Sequence, residues 1–491
     1  MIRAGQPRPL PDASSGVWLA LALACGAAAR FWNLSGSSLF TDEAYTFSLS
    51  ALRVPALLHA LASHDFHPPL FYLATHYAMA WLRWPLWDYR YLTAAFGLLT
   101  IAATWGSARR MFGAPTAAIA AFVVALQPVL VQHDRLYRMY AVTVALSALS
   151  WWLLLEIEQA AERKKAVLLA CYALAAIALP FIDYLGAVML VCQLAYAVTR
   201  SALRPALLAL GASAAAFALW LPQLLQQVPL GGIALSPPAL DRGLLASLRG
   251  AFAGGLPVEL VHIRGFDAVC ALALAATLVA GALLAKRSAL PFWLAAIVVQ
   301  IVASILLAKN LAYFPRYLLI DVPPVAIAFG LIVATAAATR LKPLCVGAMA
   351  GATVLLGLAL SNTLFNPYYQ FPDWYAVNAL LLKYEQPGDA IVLDAGYEFL
   401  VVRDYTAFRR HDIVSFMNPA DFAAVDRWIA ARGHKRVWYV EHQNFYWDPH
   451  KAIASGLSAS RPELVRWRQE KASPVDAVAV SLFGEPSTAQ R

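Results

Sequence analysis

The chain has 491 residues, of which 60% are hydrophobic and only 14% charged, against roughly 25% charged in a soluble domain. With a mean hydropathy of +0.59 it reads as a membrane protein, which excludes a freely soluble enzyme. The formal charge of +9 does not point to nucleic acid, because the basic residues form short clusters between apolar runs and no stripe that would neutralise many phosphates.

Apolar stretches near the 20 residues that a bilayer requires centre, in chain order, on residues 17–32, 68–84, 91–108, 114–131, 139–155, 166–180, 184–199, 205–224, 267–285, 289–308, 317–338 and 343–363. The first follows Arg3 and Arg8 like a signal peptide, but the many further spans favour an uncleaved helix. Basic clusters at Arg109–Arg110, Arg163–Lys165, Arg200 with Arg204, Lys286–Arg287, and Arg340 with Lys342 mark cytoplasmic loops. Walking back from Arg109 with a cytoplasmic N-terminus, the segment 68–84 begins and ends on the same face, so it is expected to lie in the interface.

The expected fold is thus a polytopic α-helical membrane protein with about eleven transmembrane helices. Its outer first loop, residues 33–90, carries two interfacial helices, the first from Glu43 to Leu61 with Thr41 or Asp42 as N-cap. Residues 225–264 form a second outer loop. After residue 364 charges return, and "GDAIVLDAG" (388–396), "KRVWYVEH" (435–442) and "VDAVAVSLF" (475–483) alternate as strands, with "NPADFAAVDRWIAARG" (418–433) as a helix between. This predicts a transmembrane domain over 1–363 and a small α/β domain over 364–491 on the outer face, without a nucleotide-binding glycine pattern. The five cysteines lie in apolar runs, form no CxxC, and are expected to be buried hydrophobes.

Four polar features stand out at the outer ends of spans. In "FTDEAY" (40–45), Asp42 and Glu43 suit either the first turn of a helix or acid–base chemistry. In "SHDFHPPLFYL" (63–73), His67 precedes two prolines that suit a helix start; it can join helix N-terminal amides in binding an anion, or simply be solvated. His59, His64 and Asp65 are near it, without a dedicated metal spacing. "QPVLVQHDRLYRMYA" (127–141) gathers His133, Asp134, Arg135, Tyr137, Arg138 and Tyr140; Asp134 and Arg138, four apart, would pair if helical. In "AYFPRYLLIDVPP", Arg316 sits between Tyr313 and Tyr317, where snorkelling is the plain alternative. Sugar transfer from a lipid phosphate needs such groups: cations to hold the leaving phosphate and a carboxylate to take the acceptor's proton. Single displacement would invert the anomeric centre.

In the order and spacing of "TDEAY", "HPPLFYL", "RYLTAAFGLLTI…ARRMFG", "QHDRLYRMYA", "FPRYLLIDVPP" and "DWYAVNALLLKYEQPGDAIVLDAGY", the chain resembles the lipid-phosphate-sugar-dependent glycosyltransferases of the protein O-mannosyltransferase and aminoarabinose-transferase type, with the membrane fold called GT-C. The resemblance implies Asp42 as base with Glu43 in support, Asp134 as the acid of the second outer loop and Arg138 as the "YRMY" arginine. Two departures stand: the residue before the paired prolines is Lys in some members and His67 here, and relatives often carry Glu before Ala-Arg where this chain has Asp134. Catalytic candidates are Asp42, Glu43 and Asp134; substrate-binding candidates are His67, Arg138, Arg316, Tyr313 and Tyr137. The partners implied are a polyprenyl-phosphate-linked sugar, of dolichyl or undecaprenyl type, and a glycan, lipid or protein acceptor; some members bind a divalent metal, so a metal stays open here. The place implied is the inner (plasma) membrane. A transporter or lipid-linked-sugar flippase is the rival, and it would put ionisable groups near the midplane.

Overall fold

The computed structural model describes residues 12–198, 200–227, 240–302, 315–394, 398–415, 421–443, 448–473 and 477–484. The chain divides into two compact units, one formed by Met1–Leu34 and Ser50–Thr363, the other by Ser35–Leu49 and Leu364–Arg491. The acidic pair of the first loop thus belongs to the second unit. Chain order begins α1 (Asp12–Phe31), α2 (Thr41–Ser50), α3 (Val54–His64), α4 (Leu70–Leu82), α5 (Arg90–Phe112), α6 (Ala114–Leu126), α7 (Pro128–Asp134), α8 (Met139–Ile157), α9 (Glu162–Ile182), α10 (Leu185–Ala197), α11 (Leu203–Ala218) and α12 (Leu221–Gln227).

The first unit is helical throughout its described residues. Seven helices there are long and apolar enough to cross a membrane, or nine if the bent pairs α6–α7 and α11–α12 each count as one span. The expectation of about eleven exceeds this because some apolar runs fold into short helices. With 13 residues, α10 is only about 20 Å long at 1.5 Å per residue, against a hydrocarbon core of about 30 Å. The helix α4, from the run 68–84 that is not among the expected spans, has the same length. The run 289–308 is described only as far as residue 302.

Proline sets the breaks. Gln127, held extended (φ −65, ψ 115) before Pro128, ends α6, and α7 leaves at 57°. The single expected helix from Glu43 to Leu61 is in fact α2 and α3, because Arg53 is extended and Pro55 opens a new first turn. Around α5 and α8 the unit is densely buried, whereas the helices Phe266–Leu284 and Lys342–Phe365 expose most of their apolar side chains. Lipid is the natural cover for those two. All five cysteines are free; Cys25 and Cys171 are exposed on their apolar helices rather than buried.

The second unit contains α2 and a five-stranded sheet of order β2-β1-β3-β5-β4, with β1 at Ala390–Leu393, β2 at Asp412–Ser415, β3 at Arg436–His442, β4 at Glu463–Arg468 and β5 at Val478–Gly484. Strands β1, β2 and β3 run parallel, and β5 is antiparallel to both β3 and β4. Central β1 and β3 are buried along nearly their whole length, as parallel strands covered on both faces should be. Val425 and Ile429 of the helix Phe422–Arg432 and Ile453 and Leu457 of the helix Ala452–Ser460 pack on Val392, Val437 and Tyr439. Asp421 caps the first of these helices and Gly433, at φ 71, ends it. The edge strands β2 and β4 were not anticipated: β2 has only four residues, and β4 carries polar residues on its exposed positions.

Candidate active site

In the first unit, α3 ends at His64 and Asp65 turns the chain in extended conformation. The Asp65 side chain is buried; its Oδ1 accepts from Phe66 N (2.6 Å) and from His67 Nδ1 (2.7 Å), and its Oδ2 accepts from the Tyr72 hydroxyl (3.1 Å). With Nδ1–H donated to the carboxylate, His67 presents Nε2 as an acceptor, and Arg138 Nη2 lies 3.4 Å from it; Arg138 Nη1 donates to the Tyr72 hydroxyl at 3.3 Å. Burial pushes the Asp65 carboxyl up, but His67 and Arg138 pull harder and hold it below the ordinary aspartate range. The His67 carbonyl accepts from Gln227 Nε2 (3.0 Å), which also donates to Leu61 O (2.8 Å).

Arg138 is held apart from regular helix. It occupies the extended N-cap position of α8 (φ −138, ψ 162). Its guanidinium carbon lies 5.9 Å from the Tyr140 ring centroid, and that of Arg316, more than 170 residues later, lies 5.8 Å from the same ring and 5.6 Å from Tyr317. Two planar cations therefore share one aromatic ring, with His133 edge-on to it at 5.7 Å. Such forked donors match phosphate oxygens. Tyr137 points elsewhere: its hydroxyl accepts from Thr75 (3.2 Å) and its ring packs on Phe71 and Tyr89. Tyr313 lies outside the described residues.

Asp134 and Arg138 do not pair, because α7 stops at Asp134 and the helical spacing is lost. Asp134 instead accepts from Arg30 Nε at 2.8 Å, both side chains being buried. Arg30 also donates to the carbonyls of Gly26, Ala125 and Val124. The neighbouring Arg135 donates to the carbonyls of Ala29 (3.3 Å), Arg30 (3.0 Å) and Trp32 (2.7 Å), the unpaired end of α1. Consequently Asp134 and Arg135 clamp the end of the first helix. Gly97 makes room for this pair: a Cβ there would stand 2.4 Å from both Arg30 Nε and Asp134 Oδ2.

In the second unit, α2 begins after Phe40, whose carbonyl accepts from the amides of Glu43 and Ala44. Phe40 is thus the capping position, in place of Thr41 or Asp42. The Glu43 carboxylate folds back to accept from Phe40 N at 2.9 Å, the glutamate half of a capping box, and is fully buried. Asp42, one residue earlier, is half-buried. Thr41 Oγ1 donates to Glu398 Oε1 at 2.9 Å. Among the described residues no group of three His, Cys, Asp or Glu side chains is placed to hold a metal ion.

Sequence reasoning reached His67, Arg138 and Arg316 but missed Arg30, Gln227 and Glu398. Arg30 ends an apolar run, and nothing local marks it as a partner for a residue 104 positions away.

Residues 66–225 match the model of the family described as dolichyl-phosphate-mannose-protein mannosyltransferase. The search of curated proteins gave no match. Among solved structures, the Archaeoglobus fulgidus oligosaccharyltransferase tethered to an acceptor peptide is similar with a TM-score of 0.53 at 13% identity, over 89% of this chain and 70% of that one. The same organism's AglB with an inhibitory peptide and dolichol-phosphate has a TM-score of 0.53 at 11% identity, over 97% and 75%. ArnT from Cupriavidus metallidurans bound to undecaprenyl phosphate has a TM-score of 0.50 at 13% identity, over 96% and 98%. At such identities the likeness to these structures is one of fold.

Proposed function

We infer that this chain is a multi-pass membrane glycosyltransferase of the GT-C type, a reading supported by the family match and the fold likeness, and that it moves a sugar from a polyprenyl-phosphate donor to an acceptor hydroxyl or similar nucleophile on the outer face of the inner membrane. The observation that carries the donor class is the pair Arg138 and Arg316 around Tyr140, a charge and shape suited to a lipid-borne phosphate. The solved relatives that contain dolichol-phosphate and undecaprenyl phosphate support the same class.

In this reading Asp42 accepts the acceptor's proton while the acceptor oxygen attacks the anomeric carbon from the face opposite the phosphate. The bond between that carbon and the phosphate oxygen breaks, and the polyprenyl phosphate leaves with inversion, its charge matched by Arg138 and Arg316. His67 acts mainly by orienting Arg138, given that its Nε2 faces the guanidinium and its Nδ1 is committed to Asp65. Glu43 serves the α2 cap and Asp134 the end of α1; both are positioning residues here, and Tyr137 is a packing residue. The acceptor is a glycan, lipid or protein.

The test is transfer from a radiolabelled polyprenyl-phosphate sugar by the purified protein in nanodiscs. Arg138→Ala and Arg316→Ala each lower kcat/KM by about tenfold to a hundredfold, the value of a charge-assisted hydrogen bond of about 1.5–3 kcal/mol. Asp42→Asn keeps donor binding and loses transfer. Movement of the lipid-linked sugar across vesicles with no transfer by wild-type protein would replace this reading with the flippase.

A further inference from the structure

In the second unit's sheet, the chain passes from β1 outward to β2 on one side and returns to β3 on the other. The connection leaving β1 runs to β2 on one side and the one leaving β3 runs to β4 on the other, so the carboxyl ends of β1 and β3 form a switch point, the place where α/β sheets offer a crevice to ligands. The residues at that crevice are Asp394, next after β1, and His442, the last of β3. Asp394 Oδ1 accepts from His442 N at 2.9 Å. His442 Nδ1 meets Glu398 Oε1 at 2.6 Å, and the same oxygen accepts from Thr41 Oγ1 at 2.9 Å. Glu398 and His442 are both buried.

From these contacts we propose that the switch-point crevice of the sheet grips the start of α2, and that Thr41, Glu398 and His442 are positioning residues for Asp42. This rests on the reading of Asp42 as the base. A second set of anchors lies beside the first: Ser38 Oγ donates to Pro372 O (2.5 Å) and accepts from Trp374 N (3.2 Å), the Phe40 ring lies 4.4 Å from that of Phe371, and the Trp374 ring meets His442 edge-on at 5.9 Å. Three residues just before Asp42, namely Ser38, Phe40 and Thr41, are thereby tied to the segment after residue 364, while Asp42 itself stays half-exposed. Placement is what a base requires, since a displacement of about 1 Å can cost about a hundredfold in rate. A buried carboxylate–imidazole pair is a costly way to hold a loop if any packed contact would do.

The experiment compares Thr41→Val, Thr41→Ser and Glu398→Ala with Asp42→Asn in the full-length protein, reading kcat and donor KM separately together with amide exchange over residues 40–46. Thr41→Val and Glu398→Ala lower kcat by about tenfold or more with donor KM unchanged. Thr41→Ser, which keeps the hydroxyl, stays within about threefold of wild type by the same reasoning. Exchange at 40–46 speeds up in the first two variants and not in the third. Wild-type kcat or unchanged exchange in folded Thr41→Val overturns the proposal, as does an equal loss in the Thr41→Ser variant. If Asp42→Asn itself transfers at the wild-type rate, the base assignment fails instead, and the exchange result alone decides whether the crevice holds α2.

Discussion

Two buried carboxylates, Asp134 at the end of α7 and Glu43 at the start of α2, look alike in the sequence: each lies in a polar motif beside an apolar run, and each invites a catalytic reading. Their surroundings differ. Glu43 accepts from a backbone amide three residues away, a bond any helix start can offer. Asp134 is held by a guanidinium 104 residues away, among apolar side chains. A carboxylate at a helix start can take a hydrogen bond from its own backbone, whereas one at the end of a helix inside a bundle is met by a partner that the fold supplies.

The comparison is broken most severely at the Asp134 end. Arg30→Ala or Asp134→Ala leaves one buried charge unpaired and lowers stability by about 3–5 kcal/mol, read as the loss of folded protein in detergent on denaturant titration. An Asp134→Asn protein as stable as wild type but unable to transfer sugar would return Asp134 to the chemistry. Gly97→Ala comes next: its Cβ meets the ion pair itself, so the pair or the helix must shift, at about 1–3 kcal/mol. At the other carboxylate, Glu43→Gln costs only about 1 kcal/mol, because the amide oxygen still accepts from Phe40 N while the charge assistance is lost; the same titration measures it.

The smallest effect sharpens the comparison with a third carboxylate, Asp65. His67 and Arg138 hold it below the ordinary range, so its contribution to stability is complete above about pH 4, where aspartates of the unfolded chain are ionised, and is lost as the pH falls through the lower folded-state value. Thermal midpoints measured from pH 6 to pH 3 fall more steeply for wild type than for Asp65→Asn. Parallel curves would mean that Asp65 is not coupled to His67 and Arg138.

Much of the fold could be read directly. The hydropathy marked the spans, alternation marked β1, β3 and β5, and the Gly433 stop closed its helix where the pattern ended. Short edge strands escaped because four residues carry too little pattern, and the break between α2 and α3 escaped because Pro55 reads equally as a residue within a longer amphipathic run. Within the candidate site, His67, Arg138 and Arg316 were legible as polar residues at the ends of apolar runs. That Arg138 and Arg316 meet at Tyr140 was not, since nothing local encodes a contact across so many residues.

What the sequence determined by itself is a chain too apolar for water, organised in helices by bilayer-length runs, with a sheet-forming segment after residue 364 and its charges gathered at span ends. Those properties are sums over neighbouring residues. Only the tertiary structure decided which polar group answers which: Arg30 for Asp134, Glu398 for Thr41, Arg138 beside His67. The reason is physical. Hydropathy and periodicity act through the solvent on each segment separately, whereas the partner of a buried charge is chosen by which helices and strands come within about 3 Å of it.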